Sequence, residues 1–161
     1  MKSARLFKIE NRLGAITRRP GGKRISEALQ AAETRVRRKH GELAAVLPEA
    51  ALRLKARLDG AATDPGQTLE ALYVESNQIF SLAGVLGLKA LADAAYSLCD
   101  LVDGFRDTGE ISWQAVHVHV DAIRLLIASP DSDAAQAAIL AGLRKVGARF
   151  QKPMVATPAK G

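Results

Sequence analysis

Three histidines and one cysteine are the residues of this chain best suited to nucleophilic or metal chemistry. His117 and His119 are two positions apart, which on a helix sets them about 200° apart around the axis, so they flank an apolar stripe on opposite sides and do not chelate one metal together. Both are expected at the edge of a core. His40 follows Arg37-Arg38-Lys39 and reads as part of a solvated basic helix face. Cys99 sits beside an apolar stripe with Asp100 and Asp103 close by, surroundings that raise a thiol pKa and suit a small core residue better than a nucleophile. A lone cysteine also excludes an intramolecular disulfide. Gly21-Gly22-Lys23 is too short for a phosphate loop, and neither a dinucleotide-binding glycine signature nor a metal-ligand cluster occurs. No metal, no cofactor and no enzymatic activity are therefore expected.

The elements that position these groups are helical. Ala and Leu dominate the 161 residues, aromatics make up 4%, and β-branched residues come singly or in pairs, which is a helix-forming composition with no strand-like alternation. Helical periodicity begins at Ile25, with Ser26 or a neighbour as cap, and runs to about Leu58. Gly41 and Pro48 interrupt it, predicting two helices or one kinked helix. Asp59 to Gly66 is a turn-rich link. The next helix spans about Gln67 to Leu86, with Leu69, Leu72, Tyr73, Ser76, Ile79, Phe80 and Ala83 on one face. Gly87 stops it. Leu88, Leu91, Ala95, Leu98, Val102 and Phe105 then form an apolar stripe ending at Gly104 to Gly109. A fourth helix from about Ser112 carries Trp113, Val116, Val120, Ile123 and Ile127, and a last one, about 132–150, carries Ala135, Ile139, Leu143 and Val146. The fold class expected is all-α, an up-and-down four-helix bundle core with an additional N-terminal and/or C-terminal helix. It is expected to occupy residues 25–150, between a flexible basic arm at 1–24 and a disordered tail at 151–161.

Net charge is +6, unevenly spread: residues 1–57 hold 15 Lys/Arg against 5 Asp/Glu, and residues 58–161 hold 8 against 12. Arg18, Arg19, Lys23, Arg24, Arg37, Arg38 and Lys39 are the candidate anion-binding residues. They support an alternative function in which the basic arm binds nucleic acid or another anionic surface. Nucleic acid is the lesser alternative, because Phe7 is the arm's only aromatic and no recognition-helix signature is present. The chain has no apolar stretch of signal-peptide type and none near the roughly 20 residues of a membrane span, so the cytoplasm is the expected location.

Asn77-Gln78-Ile79-Phe80-Ser81-Leu82-Ala83-Gly84-Val85-Leu86-Gly87, continuing through Leu88, Leu91 and Ala95 to Ser97-Leu98-Cys99, resembles the central motif of histidine-containing phosphotransfer (HPt) domains. That motif reads roughly His-x-x-Lys-Gly, then small residues, a later glycine and a Leu-rich second helix. Val118 to Arg124 is similar to a stretch of the fourth helix of bacterial members, and Ser97-Leu98-Cys99 to the end of their third. In this register Gly87 matches the late glycine. Asn77 falls where the phosphorylated histidine belongs, Phe80 where the lysine or arginine belongs, and Ser81 where the first glycine belongs.

These departures bear directly on mechanism. The amide nitrogen of Asn77 has its lone pair delocalised into the carbonyl and is no nucleophile, and the Phe80 ring supplies no positive charge to steady a phosphoryl group. The resemblance thus implies a phosphotransfer-incompetent relative, with a response-regulator receiver domain or a histidine kinase in two-component signalling as partner and a role as scaffold or competitor. Glu70, Asn77, Ser81 and Gly84 form a strip of mostly short side chains beside the core face, with Val74, Leu82 and Val85 projecting away from the core. Val74, Asn77, Phe80, Ser81, Gly84, Val85 and Gly87 are accordingly the candidate partner-binding residues. Homodimerisation through the same surface is a further reading, as is a helix buried on both sides.

Overall fold

The computed structural model describes residues 14, 21–22, 24–59, 64–129 and 132–150. The arm residues Arg18, Arg19 and Lys23 and the tail 151–161 lie outside them. Among the described residues the secondary structure is helical: α1 (Ile25–Ala44), α2 (Leu47–Asp59), α3 (Pro65–Leu86), α4 (Lys89–Thr108), α5 (Trp113–Ala128) and α6 (Asp133–Gly147). Of the two arrangements that Gly41 and Pro48 allow, two helices form. The break falls at Ala45-Val46, and Pro48 takes the second position of α2, where its missing N–H costs nothing. Gly41 and Ser26 lie inside α1 and cap nothing. By spatial proximity the chain parts into two units, Met1–Arg38 and Lys39–Gly161. In the first, α1 from Ile25 to Arg38 has no buried residue.

The second unit holds the core. α2 packs on α3 and α5, and α4 packs on α3 and α5, so these four helices close a ring. α6 lies against α4 and α5. Short links between successive, mutually packed helices suit an up-and-down bundle. The helix ends follow from local chemistry. The Asp64 carboxylate caps α3 by accepting from the Gln67 N–H at 2.9 Å, and Pro65 follows at the first helical position. Ser112 caps α5 in the same way through the Ala115 N–H. Gly87, at φ 72°, closes α3: its N–H reaches the Gly84 carbonyl and the Leu88 N–H reaches Ala83, the paired bonds of a left-handed helix stop.

Leu54, Leu72, Ile79, Leu98, Val102, Phe105, Val116, Val120 and Ile123 are fully or almost fully buried, each contributing about 1.5–3 kcal/mol by leaving water. The apolar faces read from the sequence point inward with a few exceptions. Tyr73, Leu88, Trp113, Ile127, Ile139 and Val146 are half-buried against the core, Ala135 is exposed, and Leu82 packs on the core where it was expected to project away from it. The helix that buries more than one side is α4, which adds Ala92, Ala94 and Leu101 to its stripe. It packs on three neighbours, and small residues at 92 and 94 admit them. Gly104 belongs to α4 and does not end it; a Cβ there would meet the Phe150 carbonyl oxygen at 2.8 Å. Gly109, at φ 74°, is the stop.

Candidate docking surface

α3 places Asn77 exposed, near its middle, on the second helix of the four-helix ring. The reason is geometric. Leu69, Leu72, Ser76, Ile79 and Ala83 repeat at three- and four-residue intervals and take the core face, which turns positions 74, 77, 81 and 85 toward solvent. Val74 is 45% exposed and Val85 59%. The Ser81 hydroxyl donates to the Asn77 carbonyl at 2.9 Å, a bond within the helix that keeps this side chain low. Gly84 is exposed, and a Cβ built on it meets nothing within 4 Å. Gly87 is also exposed, at the turn. No histidine, lysine or arginine occurs between Pro65 and Leu86.

Phe80, which the periodicity sets with the core face and the docking reading with the surface, lies at the border of the two and is 39% exposed. Its ring packs on Tyr96 of α4, centroids 5.8 Å apart and tilted by 47°. Tyr96 is itself 54% exposed and was not foreseen as part of the surface, although an aromatic lying off the apolar stripe of its own helix was the available signal. Asp100, one turn further on, pushes the Tyr96 hydroxyl pKa up by its charge, and partial burial raises the Asp100 carboxyl in turn. The two helices share one axial setting here, because the buried Ser76 hydroxyl donates to the Ala95 carbonyl at 2.7 Å.

The other flank of the strip is ionic. Glu75 is buried on α3 and takes Arg53 Nε at 3.2 Å and Arg57 Nη2 at 3.5 Å from α2. Glu75 and Arg57 border an open groove of about 530 Å³ that Val74 and Glu70 also line. Arg106 of α4 bridges Asp103 and Glu70, its guanidinium 4.9 Å from the Tyr73 ring centre, where cation and aromatic face attract. The sequence periodicity leaves Glu75 unassigned, since a carboxylate beside the core face carries no mark of its partners 18 and 22 residues away.

The histidines divide. His117 is exposed, whereas His119 is fully buried and is a core residue, not an edge one. Its Nδ1 lies 2.8 Å from the Ala115 carbonyl and its Nε2 3.1 Å from Ser97 Oγ, so hydrogen bonds at both nitrogens offset the burial of a polar ring. Burial lowers its pKa. Cys99 is buried with Sγ 3.8 Å from the Tyr73 carbonyl; burial is the main cause of its raised pKa, with Asp103 and Asp100 adding to it. Among the described residues no group of three or more His, Cys, Asp or Glu side chains is arranged to hold a metal ion, and no helix is long and apolar enough to cross a membrane. Of the candidate anion-binding residues, Arg24, Arg37, Arg38 and Lys39 are exposed, the last three on α1.

No family model, curated protein or solved structure matches the chain.

Proposed function

We propose that the chain is a phosphotransfer-incompetent, HPt-like module that binds a receiver domain or a histidine kinase through α3, as scaffold or competitor. The observation that carries this reading is the exposed Asn77 amide at the middle of a bundle helix, bordered by short side chains and a rim of exposed apolar ones. Val74, Phe80 and Val85 from α3 and Tyr96 from α4 leave apolar area in water, the kind of surface whose burial drives association. Gly84 and Ser81 keep the strip beside Asn77 low enough for another helix to approach.

The same features argue against relayed phosphate. An attacking group on a phosphorylated aspartate needs an available lone pair, and the transferred phosphoryl needs a cation beside it. α3 provides an amide and no basic side chain.

The test is binding of purified receiver and kinase domains by calorimetry. Association that persists in moderate salt and is lost in Ser81→Arg and Gly84→Arg, with the helical signal unchanged, supports the reading. Association that falls steeply with salt and vanishes when residues 1–24 are deleted replaces it with arm-driven electrostatics. Transfer of a phosphoryl group from a charged receiver to this chain refutes the inert mechanism, and mapping it to His40, His117 or His119 relocates the site.

A further inference from the structure

A second apolar surface lies apart in sequence from the α3 strip. Ile25, Leu29 and Val36 of α1 are 81%, 57% and 55% exposed. At 100° per residue Ile25, Leu29, Ala32 and Val36 fall within an arc of about 60°, a continuous stripe along the helix. Arg35, Arg37, Arg38 and Lys39 crowd the five positions 35–39 with no acidic residue among them. Arg35 and Lys39 border the stripe on one side. Glu33 is on the other border, Glu27 is near the start of the helix, and Glu42 pairs with Lys39 at 2.6 Å, so the positive charge of the C-terminal half is concentrated at Arg35, Arg37 and Arg38.

We propose that α1 lies on an anionic lipid surface, with Ile25, Leu29 and Val36 entering the acyl boundary and the arginines at the headgroups. An apolar stripe bordered by long cationic side chains is what such a surface selects, since the stems of Arg35 and Lys39 can run along the apolar boundary while their charges stay among phosphates and carboxylates. Charge and apolar pattern together argue against the other occupants. A second copy aligned in parallel would bring like clusters of four cations together, and Lys39 falls where the next apolar residue of a shared seam belongs. Nucleic acid would satisfy the cations but leave three aliphatic side chains without a partner, and α1 has no Phe, Tyr or Trp to stack on a base. With its charged residues, α1 lies on a bilayer and does not span it.

Vesicle flotation of the full chain tests this, comparing phosphatidylcholine alone with phosphatidylcholine containing about 30% phosphatidylserine. The expected result is flotation with the anionic vesicles only, reduced at least about tenfold in Leu29→Glu/Val36→Glu and in Arg37→Glu/Arg38→Glu. Because no residue of α1 is buried, these variants should keep the parent's circular dichroism and unfolding midpoint. Gly84→Arg should float like the parent, which separates this proposal from docking on α3. Equal flotation with both vesicles, none with either, or full retention by Leu29→Glu/Val36→Glu overturns it. So does a concentration-dependent dimer, or binding of duplex DNA, that Leu29→Glu/Val36→Glu abolishes in place of flotation.

Discussion

Ser97 on α4 and His119 on α5 are joined by a 3.1 Å hydrogen bond whose direction the surroundings determine. The Ala115 carbonyl, 2.8 Å from Nδ1, can only accept, so Nδ1 carries the proton. Nε2 of the neutral ring is then an acceptor, and the Ser97 hydroxyl donates to it. The pair has the outward form of a nucleophile and its base. With His119 fully buried, it acts as a polar tie between two core helices.

This tie predicts a pH dependence. Burial holds the folded-state pKa of His119 below its unfolded value of about 6.5. The unfolded chain then binds more protons than the native one as pH falls through that value, so the contribution is complete above it and is lost on acidification toward the folded pKa. Urea midpoints measured between pH 7.5 and 5 should fall for the parent. The dependence should flatten in His119→Gln, whatever that variant's absolute stability.

Gly104 predicts a steric cost. A methyl group there meets the Phe150 carbonyl at 2.8 Å, and the Phe150 ring is also held edge-on to Phe105 at 5.3 Å. Gly104→Ala should lose about 1–3 kcal/mol by displacing the segment after α6, despite alanine's better helix propensity. Thermal unfolding of Gly104→Ala beside Gly142→Ala separates the effects, because a Cβ at Gly142 meets nothing within 4 Å. The second change should stabilise.

The two glycines that frame the end of the α3 strip should behave oppositely. Gly87→Ala forces a side chain into left-handed backbone and should cost about 1–2 kcal/mol. Gly84 is helical with open space around it, so Gly84→Ala should leave stability equal or higher by up to about 1 kcal/mol. Chemical denaturation of both variants checks this, and a stable Gly84→Ala that binds its partner more weakly would show the gap itself is used.

Glu75 predicts a non-additive cycle. Arg53→Met leaves a buried carboxylate with one remaining partner and should cost about 1–3 kcal/mol. Arg53→Met/Glu75→Leu removes both ends and should recover most of that loss. A loss in Arg53→Met/Glu75→Leu equal to the sum of the losses in Arg53→Met and Glu75→Leu measured separately by denaturation would contradict the assigned coupling.

How much of this was legible beforehand varies by residue. The α3 face is readable because Leu69, Leu72, Ser76, Ile79 and Ala83 keep a strict helical interval, and Gly87 marks its end; the start falls two residues before the expected Gln67, because Asp64 caps the helix and Pro65, read as part of the link, is its first residue. The exposure of Val74 and Asn77 follows from the same arithmetic. Phe80 was not settled by it, since its angle falls at the border and only Tyr96, from another helix, decides which way the ring leans. His119 was misplaced for a related reason. Its periodicity is that of an edge position, but Ser97 and the Ala115 carbonyl supply the polar partners that let an imidazole enter the core. A pair of separate helices is one of two readings of Gly41 and Pro48, and packing of Leu47, Ala50 and Leu54 into the ring selects it.

The hydrogen bond from Ser76 to the Ala95 carbonyl works as a detent between α3 and α4. Sliding one helix past the other by a turn, about 5.4 Å, would strand a buried hydroxyl and part Phe80 from Tyr96. The surface the two helices share is thus a stiff plate whose ordering entropy is spent when the chain folds. A visitor to it surrenders only its own freedom.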